Sequence, residues 1–396
     1  MNFKDEAAAL QPYIQEQRRW LHQHPEVTFA EKNTTEHIAR ELEQMGIEVQ
    51  RFPDYYGCIG IIKGGKPGKT ILLRGDIDAL QITEEVNLEF KSQNDGVMHA
   101  CGHDCHTAML LGAAKLLSAH KEELQGTVKL LFQAAEECGH GSIYYIEHGC
   151  LDNVDAAFAM HVMNELSEGT FSIENGPRMA SCTNFTLTVH GVSAHGSTPH
   201  LGKDAIVAAS AIILNIQTLV SRFNNPLQPL VVTIGSVKAG KQFNIISDHV
   251  EMTGTIRCFD NALYDEVPKM LENMAKGTAE AMGCSISFDI DTREMSATNA
   301  YPELTAVAQS AAVKLYGENV LGTMKQKMGS EDFAFIMEKV PSVLAFMGYH
   351  NDECGAVEPL HSCRFYLDDS YLHKGAALHA QFAFDFLAGR ESKCLM

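Results

Sequence analysis

Side chains of the types that bind transition metals occur at four places along the chain. They are Cys101 with His103, the pair Glu136–Glu137, His161, and His361. Cys101 and His103 are two residues apart, so in an extended segment they face the same side and can hold one ion, and a thiolate can also bridge two ions. Glu136 and Glu137 are adjacent and point in different directions, so that one carboxylate can bind metal while the other addresses a water molecule.

Each of these signals is weak by itself. A histidine after a strand is more often a hydrogen-bonded structural residue, and a glutamate pair often marks the exposed start of a helix. Their shared location adds weight, because all four places fall at predicted ends of strands and Cys, His and Glu all bind Zn²⁺ or Mn²⁺. The pattern alone leaves a metal site and a set of structural residues equally open.

The elements that position these residues are predicted from apolar periodicity. Strands are expected at 59–62, 70–73, 128–132 and 156–160, and they alternate with helices such as 107–120. This alternation predicts an α/β fold with a larger, helix-covered, mixed and mostly parallel sheet. In such sheets the chemistry collects beyond the carboxyl ends of the strands.

The pattern changes near residue 182. From there to 297 the order of predicted elements is β-α-β-β-α-β, which is typical of a ferredoxin-like module. We therefore expect an inserted α+β lid or dimerisation domain at 183–297. Residues 1–182 and 298–396 would together form a discontinuous catalytic, metal-binding domain.

Composition narrows the function classes. The 396 residues carry 31 basic and 50 acidic side chains, a formal net charge of -19, which disfavours nucleic acid and anionic lipid as partners. The longest apolar run, 205–214, is shorter than the roughly 20 residues of a membrane helix. The first residues lack a secretory pattern, and the 11 cysteines are an odd number without regular spacing. We expect a cytoplasmic protein with reduced thiols.

Several longer motifs surround the candidate residues. They are 20–26 (WLHQHPE), 73–80 (LRGDIDAL), 99–107 (HACGHDCHT), 133–137 (QAAEE), 160–162 (MHV), 194–196 (AHG), 254–257 (GTIR) and 329–333 (GSEDF). In this order, and over nearly the whole chain, they resemble the amidohydrolase branch of the aminoacylase and carboxypeptidase metallopeptidases. That branch includes hippurate hydrolase, indole-acetyl-amino-acid hydrolase and N-acetyldiaminopimelate deacetylase.

The resemblance implies a role for each candidate residue. Two divalent metal ions, Zn or Mn, would be held by Cys101, His103, Glu137, His161 and His361. Glu136 would be the general base that takes a proton from water and delivers it to the leaving amine. His195 would reach the active site of a neighbouring subunit in a homodimer and stabilise the oxyanion. Arg257 and Asn244 would hold the carboxylate of a small-molecule substrate.

Five positions depart from the family pattern or need a separate interpretation. Cys105 places a second thiol near the metals, Ser247 stands where proline is usual, and Cys363 stands where proline is common. Asp76 and Asp78 occupy a strand end where distant relatives carry a ligand, and we interpret them as groups that support the ligands.

The expected reaction is metal-dependent hydrolysis of an N-acetyl or aromatic-acyl amino acid to a carboxylic acid and a free amino acid. A dipeptidase with a paired-metal site is the nearest alternative. A thiol hydrolase with Cys101 or Cys105 as nucleophile would leave the glutamates and His161 unexplained. An inactive relative that only binds ligand is disfavoured by the intact Glu136.

Overall fold

The computed structural model describes residues 1–389 and divides into two compact units. Unit 1 comprises Met1–Arg178, Thr298–Lys325 and the described residues from Asp332 onward. Unit 2 comprises Met179–Ala297 and Gln326–Glu331. The chain therefore enters unit 2 from unit 1 and returns to unit 1 twice.

The helices of the described residues, in chain order, are α1 Phe3–Ala9, α2 Gln11–Gln23, α3 Lys32–Gln44, α4 His103–Ala119, α5 Gly141–Glu147, α6 Ala205–Thr218, α7 Asn261–Ala281, α8 Pro302–Tyr316, α9 Ala334–Lys339 and α10 His373–Leu387. The strands are β1 Glu48–Arg51, β2 Cys58–Lys63, β3 Lys66–Asp76, β4 Gln125–Gln133, β5 Ala156–Ser167, β6 Phe171–Ser172, β7 Gly176–Met179, β8 Ser181–His190, β9 Ala194–His195, β10 Leu230–Ala239, β11 Ile245–Ile246, β12 His249–Cys258, β13 Ser285–Glu294, β14 Ala297–Asn299 and β15 Ser342–His350.

Unit 1 is built on a seven-stranded sheet in the order β1-β2-β4-β3-β5-β15-β6. The four central strands run parallel, and β2 and β6 join them antiparallel on either side. The central strands are buried apolar runs because helices cover both faces of such a sheet. Helix α4 packs against β3, α2 and α10 and is buried along most of its length. The predicted helix-covered mixed sheet is confirmed.

Unit 2 holds a four-stranded antiparallel sheet in the order β10-β12-β8-β13. Helices α6 and α7 pack on it, and their buried residues join those of the strands in a separate core that includes Phe185, Ile212, Met252 and Leu271. The element order β8-α6-β10-β12-α7-β13 and this strand order are those of the predicted ferredoxin-like module.

Unit 2 also contains a segment that the sequence interpretation gave to the larger domain. Residues Gln326–Glu331 belong to unit 2 because backbone hydrogen bonds tie them to its first strands: the amide of Ala180 donates to the carbonyls of Lys327 and Gly329, each at 2.9 Å. The unit also begins at Met179, slightly before the expected residue 183. Isolated hydrogen bonds to a distant segment leave no periodic signal in the sequence.

The apolar stretch that begins at α6 is longer than the run 205–214 suggested. A π-helical turn, Leu219–Phe223, continues α6, so that the helical stretch Ala205–Phe223 is long and apolar enough to cross a membrane by length and composition alone. Its Ala205, Ala208, Ile212 and Ile216 are buried against the sheet of unit 2. In its most apolar window 28% of the residues are buried, so much of the stretch is exposed.

Candidate metal centre

The N-terminus of α4 brings Cys101 and His103 together. Between them Gly102 has φ 85°, in the left-handed region that favours glycine, and it precedes the first helical residue. A Cβ at this position would lie 2.4 Å from Cγ2 of Val162, so there is also no room for a side chain. The turn at Gly102 therefore sets where the sulfur of Cys101 and the imidazole of His103 lie.

Glu136 and Glu137 follow the end of β4. In the sheet, β3 lies between β4 and β5. Their backbone amides both donate to one carboxylate, that of Asp78: Glu136 N–H to Oδ1 at 3.1 Å and Glu137 N–H to Oδ2 at 3.0 Å. Asp78 comes two residues after the end of β3. The sequence interpretation of Asp78 as a supporting group agrees with these contacts.

His161 lies inside β5 rather than after it. The predicted strand 156–160 was too short, because β5 continues to Ser167 beside β15. On its other side, β5 pairs with β3 only as far as Ala159 opposite Arg74. His161 therefore still lies near the rim of the sheet, beyond the last residue of β5 that pairs with β3.

The five predicted ligands by themselves form two groups of three potential ligand atoms. The atoms of Cys101, His103 and His161 all lie within 4.8 Å of one another, and so do those of Cys101, Glu137 and His361. Within them, Sγ of Cys101 is 3.4 Å from Nε2 of His161, and Oε1 of Glu137 is 3.5 Å from Nε2 of His361. Cys101 belongs to both groups, which is the arrangement expected of a thiolate between two ions.

The protons on two of these imidazoles leave the correct atoms available for metal. Nδ1 of His103 donates to the carbonyl oxygen of Asp78 at 2.9 Å, and Nδ1 of His161 donates to the carbonyl oxygen of Val162 at 2.8 Å. When the ring is neutral, as in a metal complex, Nε2 then carries the lone pair. Nε2 of His103 and Oε1 of Glu137 are buried without a hydrogen-bond partner, which a bound cation would supply. These residues therefore fit a metal pair.

The electrostatics of the site also fit cations. Burial raises the pKa of the Cys101 thiol well above its ordinary value, and Glu137 and Glu136 raise it further. Burial alone would lower the pKa of His103, but Asp76, Asp78 and Glu137 outweigh it and raise this pKa to about 10. Negative charge therefore exceeds positive charge around these atoms.

His361 reaches the site from a loop with an unusual backbone. It has φ 63°, uncommon for a residue with a side chain, and its amide donates to the carbonyl of Ala100 at 2.8 Å. Its side chain is 54% exposed, whereas that of Glu137 is 12% exposed. The open face of the candidate centre is therefore on the His361 side.

His106 lies in the motif 99–107, and its role is visible only in the structure. Nδ1 of His106 lies 2.6 Å from Oδ1 of Asp76, and Nε2 accepts the amide of Val162 at 2.9 Å, so Nδ1 carries the proton. His106 thereby links the end of β3 to the residue that follows His161. The signal that could have revealed it is the spacing of three from His103, which puts both imidazoles on one face of α4.

The remaining predicted residues lie in unit 2. His195 on β9 pairs with Ile245 on β11, and the amide of Gly196 donates to the carbonyl of Asn244 at 2.7 Å. His195 and Asn244 line one cavity of about 420 Å³. Nδ1 of His195 accepts the amide of Ser197 at 3.1 Å, so the exposed ring offers Nε2–H as a donor. Arg257 lies on β12, and its guanidinium donates to the carbonyl of Met328 at 3.1 Å.

Comparison with known proteins identifies the family. Residues 72–385 match Peptidase family M20/M25/M40. The chain is 40% identical to an N-acetylcysteine deacetylase of Bacillus subtilis, covering 92% of this chain and 94% of that protein. It is 36% identical to thermostable carboxypeptidase 1 of Saccharolobus solfataricus, covering 97% and 98%.

A solved structure supports the same assignment. A Bacillus subtilis protein described as a dinuclear metal binding peptidase from the M20 family superposes with a TM-score of 0.85 at 36% identity, covering 96% of this chain and 99% of that one. The chain belongs to Peptidase family M20/M25/M40 and is a metal-dependent amidohydrolase.

Proposed function

We propose that the protein hydrolyses the amide bond of an N-acetyl or aromatic-acyl amino acid and releases a carboxylic acid and a free amino acid. The observation that carries the proposal is the convergence of two potential ligand groups on Cys101, with the carboxylate of Glu136 beside them: Oε2 of Glu136 is 3.8 Å from Nε2 of His103. The substrate class is supported by the similarity to a deacetylase of an N-acetyl amino acid.

In this proposal Cys101, His103 and His161 hold one ion, and Cys101, Glu137 and His361 hold the other. The pair would polarise the amide carbonyl and increase the acidity of water, as divalent ions do in hydrolytic sites. We propose Zn²⁺ in preference to Mn²⁺, because a thiolate is the softest of the five ligands.

Glu136 is proposed as the base. It would accept a proton on its carboxylate from the attacking water and then donate that proton to the leaving nitrogen, so that the amine departs neutral. Its side chain is 10% exposed, which keeps bulk water from competing for the proton. The bond between the acyl carbon and nitrogen breaks, and the water oxygen stays with the acyl group.

The residues of unit 2 are proposed to complete the site. Nε2–H of His195 would donate to the oxyanion in the active site of a neighbouring subunit, and Arg257 with Asn244 would hold the substrate carboxylate. This requires a homodimer. Support comes from the apolar side chains of the α6 region that are exposed to solvent, including Val207 at 55% and Leu214 at 73%. Replacing Leu214 with Glu should give a monomer in light scattering and abolish turnover.

A second candidate is a carboxypeptidase or dipeptidase activity of the same site. The similarity to thermostable carboxypeptidase 1 over nearly the full length of both chains favours it. We further propose a cytoplasmic location, where thiols stay reduced, since the 11 cysteines are an odd number without regular spacing.

The test is a release assay on metal-stripped protein to which Zn²⁺ or Mn²⁺ is added back. The panel contains N-acetyl, N-benzoyl and N-indoleacetyl amino acids together with dipeptides that have a free amino group. We expect turnover of N-acyl amino acids and loss of all turnover in EDTA. Cleavage of the dipeptides alone would replace the proposal with the second candidate. A protein that binds N-acyl amino acids but turns over nothing with either metal would refute both.

A further inference from the structure

The segment that carries Glu136 and Glu137 is held by a row of side-chain oxygens. Four consecutive backbone amides, those of residues 134–137, each donate to a side chain rather than to another strand. Ala134 N–H donates to the hydroxyl of Tyr145 at 2.9 Å, and Ala135 N–H donates to Oε1 of Glu31 at 2.9 Å. The next two amides donate to the carboxylate of Asp78.

The bond to Glu31 falls on the most constrained residue of this row. Ala135 has φ 61°, the left-handed region that a residue with a side chain rarely adopts, and it directly precedes Glu136. Such a backbone persists only when its surroundings hold it. If the acceptor for Ala135 N–H were lost, the peptide could relax. The side chain of Glu136 would then point in a different direction.

Glu31 is itself firmly placed. It directly precedes α3, its side chain is fully buried, and its carbonyl accepts the hydroxyl of Thr35 at 2.6 Å. The same Thr35 hydroxyl accepts the amide of Gly57 at 2.7 Å. Oε2 of Glu31, the other carboxyl oxygen, is buried without a hydrogen-bond partner. A buried carboxyl that uses one oxygen on a backbone amide contributes little to stability by itself.

We propose that Glu31 is a positioning residue for catalysis: through Ala135 it holds the backbone that aims Glu136. This inference rests on the proposed role of Glu136 as base. It goes beyond the ligand set, because Glu31 is not one of the candidate ligands and lies 104 positions away from Ala135 in the sequence.

The surroundings of Glu31 allow an unusually direct test. Glu31 lies in the wall of a cavity of about 520 Å³, which is also lined by Thr35, Phe52, Tyr55 and Ala134. Removing the carboxyl in Glu31→Ala would extend this cavity up to the amide of Ala135. A small carboxylate such as formate could then enter and accept the same N–H.

The experiment compares Glu31→Ala and Glu31→Gln with the matched control Glu36→Ala, whose side chain lies on the adjoining helix α3 and is 57% exposed. We expect Glu31→Ala to lower kcat about 10- to 100-fold, with KM and metal content within about twofold of the wild type. Glu31→Gln keeps an acceptor oxygen and should stay within about threefold, like Glu36→Ala. Formate should restore part of the kcat of Glu31→Ala and leave the control unchanged.

Backbone exchange supplies a readout that needs no substrate. Hydrogen–deuterium exchange of the peptide that spans residues 134–137 should accelerate in Glu31→Ala and not in Glu31→Gln. If the wild type cleaves no N-acyl amino acid, the proposed function fails. Hydrogen–deuterium exchange still tests the role of Glu31 in that case. The kcat comparison is then made with a dipeptide that the enzyme cleaves.

Three results would overturn the inference. They are a Glu31→Ala kcat equal to that of the control, a kcat loss explained wholly by lost metal, and an absence of any rescue by formate. If Glu31→Ala does not fold, Glu31→Met fills a similar volume without an acceptor and replaces it in the kinetic and exchange arms. A Glu31→Met enzyme with wild-type kcat would equally exclude the role.

Discussion

His103 and Asp78 are joined twice, because Nδ1 of His103 lies 2.9 Å from the carbonyl oxygen of Asp78 and 3.3 Å from its Oδ1. Asp78 is fully buried, and the hydroxyl of Thr28 donates to its other carboxyl oxygen at 2.8 Å. Burial alone would raise the pKa of Asp78, but His103 and Thr28 outweigh it and hold this pKa below its ordinary value. One carboxylate thus orients a candidate ligand and the segment that bears the candidate base.

We expect Asp78→Asn to weaken metal binding about 10- to 100-fold, because the amide supplies only one acceptor atom and cannot stabilise the imidazole as a carboxylate does. Competition with a fluorescent chelator measures the affinity. Asp95→Asn, at an exposed position, is the control. Equal affinities in the two variants would show that Asp78 does not support the ligands.

Glu136→Gln tests the base directly. The amide cannot accept the proton of water, so we expect kcat to fall about 10²- to 10⁴-fold while two metal equivalents stay bound. Metal content by plasma mass spectrometry and steady-state kinetics give the two quantities. Retained activity would move the base elsewhere, and loss of the metals would show that Glu136 is a ligand.

Gly102→Ala should destabilise the fold by about 2 to 3 kcal/mol, because it combines a positive φ with a 2.4 Å approach to Val162. Gly96→Ala is the matched control, since Gly96 has φ 78° but a methyl group on its Cα would meet nothing within 4 Å. We expect about 1 kcal/mol there, from backbone strain alone. Urea unfolding measures both, and equal losses would mean that Val162 simply moves aside.

His37 should make stability depend on pH. Its ring stacks on Trp20 at 3.6 Å, and Nε2 donates to Oε1 of Gln17 at 2.7 Å. Burial, together with smaller effects of Arg40 and His24, lowers the pKa of His37 to about 4. The unfolded chain, with a pKa of about 6.5, therefore takes up the proton first as the pH falls.

The free energy of unfolding should consequently decrease between about pH 6.5 and pH 4, by on the order of 2 kcal/mol from this group. His37→Gln has no proton to gain, so the advantage of the wild type over this variant should shrink across that window. Urea unfolding of both proteins at a series of pH values measures the difference. A difference that stays constant with pH would contradict the assignment.

The sequence predicted the fold well where a pattern extends over many residues. Buried apolar strands and amphipathic helices repeat their signal, and the β-α-β-β-α-β order of unit 2 could be inferred from it. The meeting of Cys101, Glu137, His161 and His361 could also be anticipated, because each was expected at the same edge of one sheet.

Features that depend on single contacts could not be predicted. The left-handed backbone of Ala135 and His361 has no sequence signal, because neither residue is glycine. The bond from Ala135 to Glu31 joins residues that are far apart in the sequence, and Gln326–Glu331 joins unit 2 through a few backbone hydrogen bonds. Such contacts are decided by tertiary packing, which periodicity does not record.

The sulfur of Cys101 belongs to both candidate ligand groups, and this gives the centre a single point of chemical vulnerability. Oxidation to a sulfinic acid, or alkylation, would remove a donor from each ion at once, so damage at one atom would disable the whole centre rather than half of it. The residue is 7% exposed, and bound ions would occupy its lone pairs. The loaded enzyme should therefore resist peroxide for much longer than the stripped enzyme.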